Sequence, residues 1–121
     1  MSARHHTIDY LEITVAGVAA AKEFYGQAFG WQFNDYGPGY AGIRATGDLE
    51  AGGLTAATDG DPIRPPLAIV YSDDLEATEG AVRAAGGQIV VEPFDFPGGR
   101  RFHFRDPAGN ELAVWTQTPH S

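Results

Sequence analysis

The chain repeats itself. Val18, Ala21, Tyr25, Ala28 and Gly30 return as Leu75, Thr78, Val82, Ala85 and Gly87, each 57 residues further on. A fixed displacement of that size marks a duplicated supersecondary unit. In each half the first four positions fall on one side of a helix, at i, i+3, i+7 and i+10, and an alternating run precedes them. Each copy therefore starts as a strand followed by a helix. Two such halves sharing one core are expected to leave a concave surface, where function is to be sought.

Thr7 to Val15 alternates, with Leu11, Ile13 and Val15 on one face and Tyr10, Glu12 and Thr14 on the other. The aliphatic face is expected to pack on the helix from Val18 to Phe29, which Gly30 stops. Trp31 and Phe33 begin a second strand, the turn-rich 35–39 leads to a third over Tyr40 to Ala45, and a short fourth runs near Gly53 to Ala56. Residues 58–66, with three prolines, read as the linker. The second half repeats the plan with a strand from Leu67 to Tyr71, Asp74 as N-cap and a helix from Leu75 to Ala85. Gln88 to Glu92 and Arg101 to Asp106 form a hairpin pair, joined by a loop that holds Phe94, Phe96 and Pro97-Gly98-Gly99. Asp106-Pro107-Ala108-Gly109 carries the preferences of a type I turn, and Glu111 to Thr116 is the last strand.

A length of 121 residues fits one domain, 1–121, with module one about 7–57 and module two about 67–117. Sixteen acidic against eight basic residues give a net charge of −8, which repels nucleic acid and anionic membranes and favours neutral or cationic small molecules. Without cysteine there is no disulfide, thiolate nucleophile or sulfur-ligated zinc. No signal peptide and no apolar run of about 18 residues is seen, so the expected location is the cytoplasm.

Three segments, Tyr10-Leu11-Glu12-Ile13-Thr14-Val15, Phe24-Tyr25-Gly26-Gln27-Ala28-Phe29-Gly30-Trp31 and Asp106-Pro107-Ala108-Gly109-Asn110-Glu111-Leu112, resemble the vicinal oxygen chelate superfamily. That group includes glyoxalase-type lyases, extradiol dioxygenases and bleomycin-resistance proteins. The resemblance covers about residues 7 to 117. It implies an α+β fold in which two βαβββ modules form an open, curled mixed sheet around a central cleft, often in dimers. It also implies a divalent metal held by two histidines and two carboxylates. Carried over, those positions fall on Tyr10, about Gly53, Leu67 and Ala113, none of which is a ligand of the expected kind. No metal and no cofactor is therefore expected. His5, His6 and His120 lie towards the chain ends, and no HExxH pair occurs.

Strand alternation then supplies the lining of a ligand groove. The parity that turns Tyr10 inward selects Glu12, Tyr40, Arg44, Tyr71, Glu111 and Trp115, together with Thr14 and Ile69. Phe102 and Phe104 are assigned to the helix side, which places Arg101, His103 and Arg105 on the other. Aromatic walls with a few ionisable groups suit a small molecule. Glu12 is also a candidate for a cross-strand pair with Arg44 or Arg105.

Three functions compete. The first is a metal-free binding protein of the bleomycin-resistance type, holding an aromatic or cationic ligand in an aromatic and acidic groove. The second is a metal-independent enzyme in which Glu12 or His103 moves a proton on a small carbonyl or enol substrate while Tyr40, Arg44 or Arg101 stabilises negative charge. The third keeps a metal-dependent lyase or dioxygenase, its ligands rebuilt from Glu12, His103 and Glu111. Open sheet edges suggest a homodimer.

Overall fold

Alternation and glycine punctuation produce strand, helix and three strands, twice over. The structure, a computed structural model, describes residues 5–45, 49–57 and 64–117. Among the described residues the order is β1 (Ile8–Val15), α1 (Val18–Phe29), β2 (Phe33–Asp35), β3 (Tyr40–Arg44) and β4 (Glu50–Ala56), then β5 (Leu67–Tyr71), α2 (Leu75–Ala84), β6 (Gln88–Phe96), β7 (Gly99–Arg105) and β8 (Glu111–Gln117). The α+β class and the paired βαβββ order expected from the sequence are what the chain adopts. Residues up to Asp9 cluster with those from Leu67 onward into one unit, and Tyr10 to Pro66 form the other. Most of the expected linker, at 58–63, and His120 lie outside the described residues.

In the unit from Tyr10 to Pro66 the strand order is β2-β3-β4-β1. β1 runs parallel to β4, with Ile13 beside Leu54, while β3 is antiparallel to both β4 and β2. Leu54, Ala41, Ile43 and Val18 form the buried apolar set. Helix α1 lies against β4. It ends at Gly30, whose φ of 73° is open to glycine at little cost and whose N–H bonds to the Gly26 carbonyl at 2.8 Å. The helix buries less than its repeat suggested. Val18 is sealed, but Ala28 is exposed, and the half-buried Tyr25 stacks on Trp31 with ring centroids 5.0 Å apart.

In the other unit the order is β5-β8-β7-β6. β5 pairs parallel with β8, and β7 pairs antiparallel with β8 and β6. Leu75 of α2, Phe102 of β7 and Val114 of β8 make the core, flanked by Val70, Val82, Ile89 and Phe104. Asp74 caps α2 as expected, accepting from the Ala77 N–H at 3.1 Å. The 106–109 turn also forms: the Gly109 N–H reaches the Asp106 carbonyl at 2.9 Å, and the Asp106 carboxylate accepts from the Ala108 and Asn110 amides.

Two boundaries moved. β4 starts three residues early, at Glu50. The predicted loop holding Phe94 and Phe96 is instead the end of a nine-residue β6, with only Pro97 and Gly98 between the paired Phe96 and Gly99. Pro97 followed by Gly98 at φ 100° has the form of a type II turn. Bulges between Ile89 and Phe94 let this outer strand accept Pro93, which donates no ladder hydrogen bond. Replacing Phe102 by Ala is expected to cost about 3–5 kcal/mol, because its ring is fully buried and the cavity cannot refill. Urea unfolding of the variant measures it.

Candidate functional site

Each sheet packs one face on its helix, so the side chains of opposite parity form a second, chemically distinct face. In the unit from Tyr10 to Pro66 that face carries Tyr10 and Glu12 from β1, Asn34 from β2, Tyr40 and Gly42 from β3, and Glu50 and Gly53 from β4. The Tyr10 and Tyr40 hydroxyls lie 2.7 Å apart, and Tyr40 donates to Glu12 Oε2 at 3.2 Å. The Glu50 carboxylate receives the Asn34 amide at 2.9 Å and the Tyr36 hydroxyl at 2.5 Å. Burial is the main cause that pushes Tyr10 up to about 12, and it raises Tyr40 as well, so both phenols stay protonated at neutral pH.

Glycines make this arrangement possible. A Cβ on Gly53 would strike the Tyr40 hydroxyl, and one on Gly42 would strike the Glu50 carboxylate. The polar tips therefore lie directly on bare backbone. Arg44 does not join Tyr40 although it shares its parity. A bulge between Ile43 and Arg44 breaks the alternation, and the exposed guanidinium reaches Gln32 Oε1 at 3.3 Å. Of the two pairings considered for Glu12, the one with Arg44 does not form, because this guanidinium bonds to Gln32 instead.

The other unit presents a different chemistry. With Phe102 sealed in the core, Arg101 and His103 occupy the opposite face of β7, as the parity predicted. His103 Nδ1 meets Glu111 Oε2 at 2.9 Å, while Arg101 Nε and Nη2 lie 3.2 and 3.0 Å from His103 Nε2. The Arg101 guanidinium also stands 5.8 Å from the centre of the Phe94 ring. Tyr71 and Trp115 meet edge to face at 5.2 Å, and Phe96 joins Trp115 at 6.2 Å. The Trp115 indole donates to Asp9 at 3.1 Å; burial raises the Asp9 carboxyl despite that bond.

The residues at the metal-ligand positions do not fit a metal. Tyr10 is bonded to Tyr40; Gly53 has no side chain, and the Tyr40 hydroxyl fills the space before it; Leu67 and the fully buried Ala113 offer only carbon. Among the described residues no three His, Cys, Asp or Glu side chains gather as a metal would require.

Several participants were missed. Tyr36 fell in a segment treated as a turn, Glu50 in the stretch before the expected fourth strand, and Phe94 and Phe96 in a presumed loop, while Asn34 lay in the expected second strand but was not singled out. His6 was set aside as terminal, yet its Nε2 lies 2.8 Å from Thr78 Oγ1, which in turn meets the buried Ser72 hydroxyl at 2.7 Å. The signal for Thr78 was a hydroxyl in an otherwise apolar helix stripe.

Residues 7–114 match the profile described as the Glyoxalase/Bleomycin resistance protein/Dioxygenase superfamily. The protein CFP32 of Mycobacterium tuberculosis is 29% identical over 97% of this chain and 48% of its own length. The anthracycline biosynthesis protein DnrV of Streptomyces peucetius is 34% identical over 81% of this chain and 42% of its own. The chain thus spans about half the length of these curated relatives. Among solved structures, a methylmalonyl-CoA epimerase from Mycobacterium tuberculosis superposes with a TM-score of 0.75 at 20% identity, over 98% of this chain and 94% of that one. A Mn(II)-bound glyoxalase from Novosphingobium aromaticivorans gives 0.68 at 24% identity, over 98% and 43%. At these identities the two structures speak to the fold alone.

The tyrosine pair has a stability consequence with a definite sign. Phenols in the unfolded chain ionise near pH 10, whereas Tyr10 and Tyr40 hold their protons longer when folded. Their contribution is complete below about pH 10 and fades as pH rises beyond it. Denaturant unfolding from pH 8 to 11.5 is expected to show that decline, and the double variant Tyr10→Phe/Tyr40→Phe to flatten it. Gly53→Ala is expected to cost about 1–3 kcal/mol through the same contact. The loss should shrink in a Tyr40→Ala background, measured as a double-mutant cycle.

Proposed function

This chain belongs to the Glyoxalase/Bleomycin resistance protein/Dioxygenase superfamily, and on that premise we propose that it binds a small aromatic or cationic molecule without a metal ion. The observation that carries the proposal is the Tyr40 hydroxyl seated on Gly53. Where a ligating carboxylate would have to stand, this chain puts a phenol that keeps its proton. A protonated phenol is a poor ligand for a divalent ion but a good hydrogen-bonding surface for an organic one.

On the tyrosine face the proposed contacts are Tyr10, Glu12 and Tyr40; Tyr71, His103, Glu111 and Trp115 are a second candidate set, within the other unit. Arg44, drawn away to Gln32, leaves the set. Three tyrosines and two carboxylates on the first face favour a ring bearing positive charge, as does the net charge of −8. An aromatic ligand is further supported by a relative named for anthracycline biosynthesis.

We extend the proposal to a cytoplasmic homodimer. Among the described residues no helix is long and apolar enough to cross a membrane. Phe24 and Phe29 on α1 are 60% and 63% exposed. That apolar surface would be covered by a second copy. Sedimentation is expected to return a dimer, and Phe24→Glu/Phe29→Glu a monomer.

Binding is tested by thermal shift with a panel of aromatic amines. At least one is expected to raise the melting temperature, with Glu12→Gln weakening the effect. Protein prepared without chelator is expected to carry no stoichiometric divalent ion, and added Mn(II) or Zn(II) to leave the melting temperature unchanged. A metal-dependent rise would overturn the metal-free reading.

A further inference from the structure

We propose that His103, oriented by Glu111 and capped by Arg101, is a general base that removes a proton from the carbon beside the keto group of a small 2-oxo acid. This activity is separate from ligand binding on the tyrosine face and needs only residues of β6, β7 and β8.

The bonding of the imidazole defines its state. A guanidinium only donates, so His103 Nε2, approached by Arg101 Nε and Nη2 at 3.2 and 3.0 Å, must be an acceptor. The hydrogen of a neutral ring then sits on Nδ1 and is donated to Glu111 Oε2 at 2.9 Å. A carboxylate behind a histidine fixes the tautomer and steadies the imidazolium that forms when the ring takes a proton. The side chains of His103 and Glu111 are 12% and 28% exposed, sheltered enough for that pairing to matter yet open to solute. Phe94, with its ring centroid 6.3 Å from that of His103, and Trp115, paired with Arg101 across β7 and β8, surround the group with aromatic surface.

Arg101 supplies the second half of the reaction. Nε and Nη2 lie along one edge of the guanidinium and form a parallel pair of donors, both directed at the His103 ring nitrogen. A 2-oxo acid presents two coplanar oxygens, one from the carboxylate and one from the keto group, which match that edge better and bring negative charge to it. Taking over those two bonds, the acid uncovers Nε2 and sets C3 against it. The C3–H bond then breaks and its proton joins Nε2. The released electron pair forms C2=C3, and the carbonyl pair moves to the keto oxygen, where Arg101 balances the charge. The proton on Nε2 exchanges with solvent, and Nε2 then returns one to C3 as the enolate pair re-forms the keto group, which leaves the imidazole neutral and closes the cycle without oxidant, reductant or co-reactant.

The test is exchange of the pyruvate methyl hydrogens in D2O, followed by proton NMR. The wild-type chain is expected to speed exchange saturably over protein-free buffer, and acetone, with one oxygen, to exchange far more slowly. His103→Gln is expected to lose about 100-fold or more, the scale of general-base catalysis. Glu111 acts as a positioning residue, so Glu111→Gln should lower turnover and leave KM for pyruvate unchanged. Arg101→Lys, which keeps the charge but not the paired donors, should raise KM about tenfold. Wild-type exchange no faster than buffer, or equal to that of folded His103→Gln, would overturn the proposal. Should His103→Gln fail to fold, an unchanged KM in Arg101→Lys would overturn it instead. Thermal shift with the aromatic amines is read separately, so loss of one activity leaves the other standing.

Discussion

Phe102 is the residue on which the chemistry of β7 depends. Its ring has no solvent exposure and is locked between Leu75 of the helix and Val114 of the neighbouring strand. Because strand side chains alternate, sealing that one ring turns Arg101 and His103 to the opposite side with no further instruction. A slip of one residue would place a charged guanidinium and an imidazole in the core, at a cost no local gain could offset. The polar face is thus specified by the hydrophobic one.

The two units share an order of elements but not a chemistry. Where one sets phenols and carboxylates over Gly42 and Gly53, the other sets an imidazole, a guanidinium and aromatic rings over β7 and β8. Backbone plan and surface chemistry vary independently because the first is fixed by alternate residues facing the helix and the second by the residues between them. A duplicated unit can therefore keep its fold while its two copies acquire unlike polar groups, which is why the family's fold is so much easier to recognise than any one activity.

Much of this was legible in the sequence because the signals were periodic. The 57-residue repeat, the alternation in β1 and β7, the Asp74 cap and the glycine stop of α1 each report a local physical requirement. What escaped were departures from period. Arg44 follows a bulge, and nothing in Tyr40 to Arg44 itself announces that the fifth position will swing out to Gln32. Phe94 and Phe96 lie beyond Pro93, a residue that ordinarily ends a strand but is absorbed here by bulges on an outer one. The Tyr40 hydroxyl resting on Gly53 and the link from His6 to Thr78 and Ser72 depend on pairing between distant segments. A linear pattern carries no record of such meetings.

Only two tryptophans occur in the chain, and they stand in opposite circumstances. Trp31 is stacked on Tyr25 at the surface, whereas the Trp115 indole is tethered to the Asp9 carboxylate and wedged against Tyr71 and Phe96. Indole emission responds to the charge and packing around the ring, so whatever disturbs the carboxylate or parts the three rings alters it. The protein carries a built-in optical probe on the same face as His103, and silencing Trp31 with phenylalanine would let that probe be heard alone.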